Sequence, residues 1–189
     1  AGLVDRDEPI AVYFHVLRHP SRGTFLVDTG VESALRDAPE RSAMRGLVAR
    51  VMRAEKMRFH APLGAWLAAH PQPLAGVLFT HLHLDHVSGA PDLPRDTPLY
   101  VGLGEATARS PMHVFTRGTT DRALAGLPPV EEWRFEADAD GRFAGLVDVL
   151  GDGSLWAIWV PGHTAGSTAY LARTPRGPVL LVGDTSHTA

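Results

Sequence analysis

At 189 residues, 44% of them hydrophobic, the chain is long enough to bury a substantial core and short enough to form a single domain over residues 1–189. A net charge of −3 without a basic run argues against a nucleic-acid partner, and the absence of cysteine removes disulfides, thiolate nucleophiles and cysteine-ligated zinc, so any metal must rest on His and Asp. No apolar run reaches the roughly 20 residues that span a bilayer, and Ala1 to Glu8 does not read as a signal peptide, so the expectation is no membrane partner and, by default, a cytoplasmic location.

In chain order, Ile10 to Leu17 is a β-rich run, His19-Pro20-Ser21-Arg22-Gly23 has turn chemistry, and Thr24 to Val27 follows as a second strand, together a hairpin. This second strand delivers Asp28-Thr29-Gly30. Asp28 reads either as a turn residue or as a carboxylate that hydrogen-bonds a metal site from behind. His15 and His19 read as surface or packing residues. From Glu40 to Lys56, Met44, Leu47, Val48, Val51 and Met52 recur at helical spacing with arginines elsewhere on the wheel, which predicts an amphipathic helix. Pro62 to Ala69 predicts a shorter helix ending at His70-Pro71. Leu74 to Phe79 is a continuous apolar run of the kind that forms a strand buried on both faces.

That strand leads directly into Thr80-His81-Leu82-His83-Leu84-Asp85-His86, where three histidines and an aspartate fall within positions 81 to 86. In an extended segment alternate side chains share a side, so His81, His83 and Asp85 can converge while His86 faces elsewhere, and one loop can serve two neighbouring divalent ions. Leu99 to Val101 predicts a further strand. Glu105 to Leu127, broken by Pro111, Gly118 and Gly126, predicts an irregular helical segment or a lid, in which His113 is a candidate substrate or metal contact. Glu131 to Glu136, Leu146 to Leu150 and Leu155 to Val160 are strand candidates, the last two joined by the turn Gly151-Asp152-Gly153. Pro161-Gly162-His163-Thr164-Ala165-Gly166-Ser167 then sets His163 in a glycine-bearing loop between strands, a metal-ligand candidate. A hairpin of Thr168 to Arg173 and Pro178 to Val182 ends at Gly183-Asp184-Thr185. Asp184 repeats the arrangement of Asp28, and a carboxylate there can bridge two cations about 3 to 4 Å apart.

Together, His-x-His-x-Asp-His at 81 to 86, Pro-Gly-His-Thr-x-Gly-Ser at 161 to 167, Gly-Asp-Thr at 183 to 185 and Val-Asp-Thr-Gly at 27 to 30 resemble the metallo-β-lactamase superfamily, in the family's order. The resemblance implies an α/β fold, the four-layer αβ/βα sandwich, with metals at one edge. It implies that His81, His83 and His163 hold a first metal, that Asp85 and His86 hold a second, that Asp184 bridges them, and that Asp28 supports the metal loop. Family members run on past this point to a final histidine, so the resemblance also implies a C-terminally incomplete sandwich. His187 is the remaining candidate for a ligand or substrate contact.

The implied cofactor is Zn2+, one or two per chain, with Fe or Mn also suited to a His/Asp site. The implied activity is hydrolysis by a metal-bound hydroxide, with Asp85 as the catalytic residue that orients it, on a small carbonyl-type substrate: a lactone, ester or thioester. Two other expectations stand beside it, a mononuclear iron dioxygenase on the same fold and a non-catalytic metal-binding module. An incomplete sandwich also suggests a homo-oligomer or a complementing chain segment as partner.

Overall fold

A computed structural model of the chain describes residues 11–107 and 114–185. β1 (His15–His19) and β2 (Gly23–Val27) form the predicted antiparallel hairpin, with His15 opposite Val27. The first strand is shorter than expected and begins at His15. β3 (Leu74–Leu78), β4 (Leu99–Val101) and β5 (Glu131–Glu132) each add in parallel, giving a five-stranded sheet of order β1-β2-β3-β4-β5. Parallel neighbours need long crossovers, and these carry the helices. α1 (Ser33–Asp37), α2 (Leu47–Val51) and α3 (Leu63–Ala69) lie between β2 and β3, α4 (Leu84–Val87) follows β3, and α5 (Val114–Leu124) follows β4.

The second half folds as an antiparallel meander, β6 (Gly145–Asp148), β7 (Leu155–Trp159), β8 (Thr168–Thr174) and β9 (Gly177–Leu181). Alternation along the central strands decides how the layers stack. Phe25, Val27 and Leu78 point to the second sheet and pack on Leu155, Ala157, Tyr170 and Ala172. Their neighbours Leu26, Val77 and Phe79 point the other way, onto Leu63, Val87, Ala90 and Ala123 of the helical side. Among the described residues the order of layers is helices, five-stranded sheet, four-stranded sheet, the mixed α/β arrangement expected. Val179 and Leu180 of β9 are exposed. No helix among the described residues is long and apolar enough to cross a membrane.

One expectation is corrected and another is narrowed to one of its alternatives. The helix predicted over Glu40 to Lys56 reduces to α2 and a 3-10 turn at Ala54–Lys56. The buried Glu32 carboxylate explains this: its Oε1 accepts the Ser42 hydroxyl at 2.6 Å and the Ala43 N–H at 2.7 Å, which pulls these residues off a helical path. Gly46 before α2 and Arg53 after it both have positive φ. Met44 and Val48 are buried as expected of core side chains, but Leu47 and Val51 are 61% and 59% exposed. Of the two readings of Glu105 to Leu127, an irregular helical segment or a lid, the described part bears out the helical one as a packed helix, α5. Ala123 of α5 is in the core, and the Arg122 guanidinium donates to the Ala43 carbonyl.

Candidate metal centre

The C-terminal ends of parallel strands gather at one edge of a sheet, where open α/β folds place their ligands. β2 ends there in Asp28, β3 in Thr80 and the histidine cluster, and β4 in the Gly102–Glu105 turn. The second sheet brings its β7–β8 loop and the end of β9 to the same edge: the Thr168 N–H donates to the Thr80 carbonyl at 2.9 Å, and the Tyr170 hydroxyl donates to the Phe79 carbonyl at 3.0 Å. Gly183 has φ +53, and a Cβ at that position would fall 2.7 Å from the Thr80 side chain, so a glycine is required for β9 to close against the cluster.

Two donor groups result. His81, His83, His163 and Asp184 offer one ligand atom each within 4.8 Å of one another, and so do Asp85, His86 and Asp184. His83 Nδ1 and His163 Nε2 lie 2.9 Å apart. Asp184 belongs to both groups, with one oxygen for each: Oδ2 is 3.9 Å from His81 Nε2 and 3.5 Å from His163 Nε2, while Oδ1 is 3.2 Å from His86 Nε2. Asp85 Oδ2 is 3.6 Å from that same His86 nitrogen. Imidazole nitrogens and carboxylate oxygens converging in this way are the donor set that divalent first-row ions take.

Asp28 holds this edge from behind. Its buried carboxylate accepts the Thr80 N–H at 2.8 Å and the Thr80 hydroxyl, and its Oδ2 lies 2.8 Å from His86 Nδ1. An Nδ1–H directed at Asp28 leaves the Nε2 lone pair facing Asp184 and Asp85. The His86 carbonyl is fixed as well, by the N–H and hydroxyl of Thr29. Burial lowers the pKa of His86, but the Asp28 hydrogen bond and the charges of Asp28, Asp85 and Asp184 outweigh it and raise the value to about 9. The field that holds a proton there also attracts a metal cation.

Side-chain alternation does not place Asp85 with His81 and His83. The chain stays extended only to His83, and α4 then winds Asp85 and His86 together on the far side of Asp184. The pairing of Asp85 with His86 implied by the family motif matches this arrangement. His113 and His187 lie outside the described residues.

The family model of the metallo-β-lactamase superfamily matches residues 8–189. The chain belongs to that superfamily. It is 31% identical over 186 residues to the N-acyl homoserine lactonase AttM of Azorhizobium caulinodans, covering 96% of this chain and 67% of AttM. A hydroxyacylglutathione hydrolase of Pseudomonas putida is 36% identical over 126 residues, 66% of this chain and 39% of that enzyme. Among solved structures, an N-acyl homoserine lactone hydrolase with the product N-hexanoyl-L-homoserine at its catalytic metal centre superposes with a TM-score of 0.62 at 21% identity, covering 93% of this chain and 64% of the other. The chain thus spans about two-thirds of the two lactone-hydrolysing proteins and about two-fifths of the hydroxyacylglutathione hydrolase.

Within this metallo-β-lactamase superfamily chain, two residues at the site were not singled out from sequence. Thr80 links Asp28 to the cluster, with its hydroxyl 3.1 Å from His81 Nδ1 and 3.2 Å from His86 Nδ1. Glu105 is buried beneath the cluster, its carboxylate accepting the Leu82 and Gly166 N–H groups. The signal that could have found it is the one that picked out Asp28 and Asp184, a carboxylate a few residues past the end of an apolar strand.

Proposed function

We propose that the chain is the metal-binding part of a zinc-dependent hydrolase, a single domain, that opens a lactone, with an ester or thioester as the neighbouring chemistries. The observation that carries this reading is Asp184, whose two oxygens each face a separate set of donors, the arrangement that lets one carboxylate serve two adjacent cations. His81, His83 and His163 would hold one cation and Asp85 and His86 the other. The cations supply carbonyl polarisation and a lowered pKa for water. The imidazoles leave zinc as the leading candidate, with iron and manganese suited to the same donors.

This chain's residues do the rest. Asp184 sets the spacing of the two groups. Asp28 and Thr80 fix the ring of His86. Asp85, whose side chain is 37% exposed, is open enough to orient an attacking water and receive its proton. Lactone leads among the substrates because similarity to AttM runs over 96% of the chain, whereas similarity to the hydroxyacylglutathione hydrolase stops at 66%. The test is turnover of a panel of N-acyl homoserine lactones, simple esters, thioesters and β-lactams, with zinc content measured in parallel and chelator controls. Chelator-sensitive lactone opening is the expected outcome. Thioester preference would move the assignment toward the hydroxyacylglutathione hydrolases, and oxygen uptake with bound iron would replace hydrolysis by a dioxygenase.

A further inference from the structure

The three histidines of the His-rich donor group come from two loops that belong to different sheets, and a buried carboxylate lies between them. Glu105 is 7% exposed. Its Oε1 accepts the Leu82 N–H at 3.0 Å and its Oε2 accepts the Gly166 N–H at 2.9 Å. Leu82 is the residue between His81 and His83, and Gly166 lies three residues past His163. One oxygen therefore holds each loop, and the rigid carboxylate sets the distance between them. The turn from which Glu105 projects is anchored in the same way: the Glu132 carboxylate accepts the Gly104 N–H at 2.9 Å and the Ala106 N–H at 3.0 Å. Nor is there slack on the far side. A Cβ on Gly166 would collide with the Glu105 Cβ and fall 2.7 Å from the Gly102 carbonyl oxygen.

We propose that Glu105 is a positioning residue for the metal centre: a carboxylate clamp that fixes His81 and His83 relative to His163. The proposal rests on the reading of those side chains as metal ligands. An ionised carboxylate is acceptor-only, and here both oxygens face backbone donors. Glutamine keeps the shape but turns an NH2 towards one of the two N–H groups, which unclamps one loop. The second donor group takes nothing from residues 161–167, so it is an internal control within the same protein. A residue that served only general stability would weaken both groups alike, whereas a clamp acts on one.

The experiment is zinc binding to the purified full chain, by chelator competition, with cobalt(II) absorption as a second probe of each site. Wild type, Glu105→Gln and His163→Ala are compared, the last marking which site is the His-rich one. Glu105→Gln is expected to weaken zinc at that site about tenfold and shift its cobalt spectrum, leaving the other site within about twofold. Unchanged affinity at both sites would overturn the proposal, as would equal weakening at both that follows a lowered melting temperature of the metal-free protein. Should Glu105→Gln not fold, Glu105→Asp, which keeps the charge but loses a methylene of reach, must show the same one-site loss or the clamp is wrong. A folded wild-type chain that takes up no zinc would refute the metal-centre reading itself, a result distinct from normal wild-type binding with an indifferent Glu105→Gln.

Discussion

The two donor groups share Asp184 and are otherwise built differently. Asp85 and His86 are adjacent in one short helical turn, and a single distant carboxylate completes their group. The His-rich group draws on both sheets, and its centre is closed off: the His81 side chain is 1% exposed, against 37% for Asp85. Two of the three donors of one group are thus neighbours in sequence, whereas the histidines of the other meet only once the sheets have packed. Donors that come together through packing depend on the supports around them, whereas donors that come together through a helical turn depend mainly on their own ionisation and on the partner that orients them.

That contrast can be broken most severely at the shared residue. Asp184→Ala should strip zinc from both groups and reduce turnover by roughly a thousandfold or more, since several kcal/mol of barrier reduction depend on the cations. His81→Ala should remove zinc from the His-rich group and turnover with it, and elemental analysis of a folded, active variant that kept its full zinc content would refute the site. At the next level, Asp28→Asn keeps the shape of the side chain but removes the charge behind His86. It should weaken zinc by about 10- to 100-fold, chiefly at the group containing Asp85 and His86, as read by chelator competition.

Smaller effects separate the supports of the two groups. Tyr170→Phe removes the hydroxyl that donates to the Phe79 carbonyl and accepts the Trp133 indole N–H, beside the start of the His-rich loop. Denaturant unfolding should show a loss of about 1–3 kcal/mol. The smallest change is expected at Glu32, whose N–H donates to the Ser88 carbonyl at the end of α4. Burial, with the nearby charge of Asp92, raises its pKa above the ordinary 4.5 against hydrogen bonds from Ser42, Ala43 and Met44. A carboxyl with a raised pKa binds its proton more tightly when folded, so its contribution to stability is greatest at low pH and declines as pH rises above 4.5. Glu32→Gln can keep both bonds made through Oε1 and removes this decline. The variant should gain on wild type as pH rises, by less than about 1 kcal/mol in unfolding measurements across pH 4 to 7.

Much of the scaffold was readable before the structure. Strand-like runs flanking turn chemistry identified the β1–β2 hairpin and the β8–β9 hairpin, and a continuous apolar run identified β3, because those signals are local. The helix expected over Glu40 to Lys56 failed because its spacing was local while the interaction that decides it, Glu32 with Ser42 and Ala43, is not part of the periodic pattern. At the site, residue types and spacing singled out the donors, and the structure brings all six of them together. Alternation alone misassigned Asp85, since it assumed an extended chain where α4 begins. Glu105 was missed for a different reason. It stands beyond the glycine-bearing turn that follows β4 rather than directly at the strand end like Asp28, so the strand-end signal was weaker there.

The interval along the chain between the cluster and Asp184 has a consequence during translation. At roughly 5–20 residues per second, the histidine cluster is synthesised on the order of 5–20 seconds before the carboxylate that joins its two halves. Over that time the imidazoles belong to an open chain with no second sheet to set their spacing. Neither candidate donor group is therefore complete until β9 docks, and until then the imidazoles have been made without the spacing that the folded edge gives them.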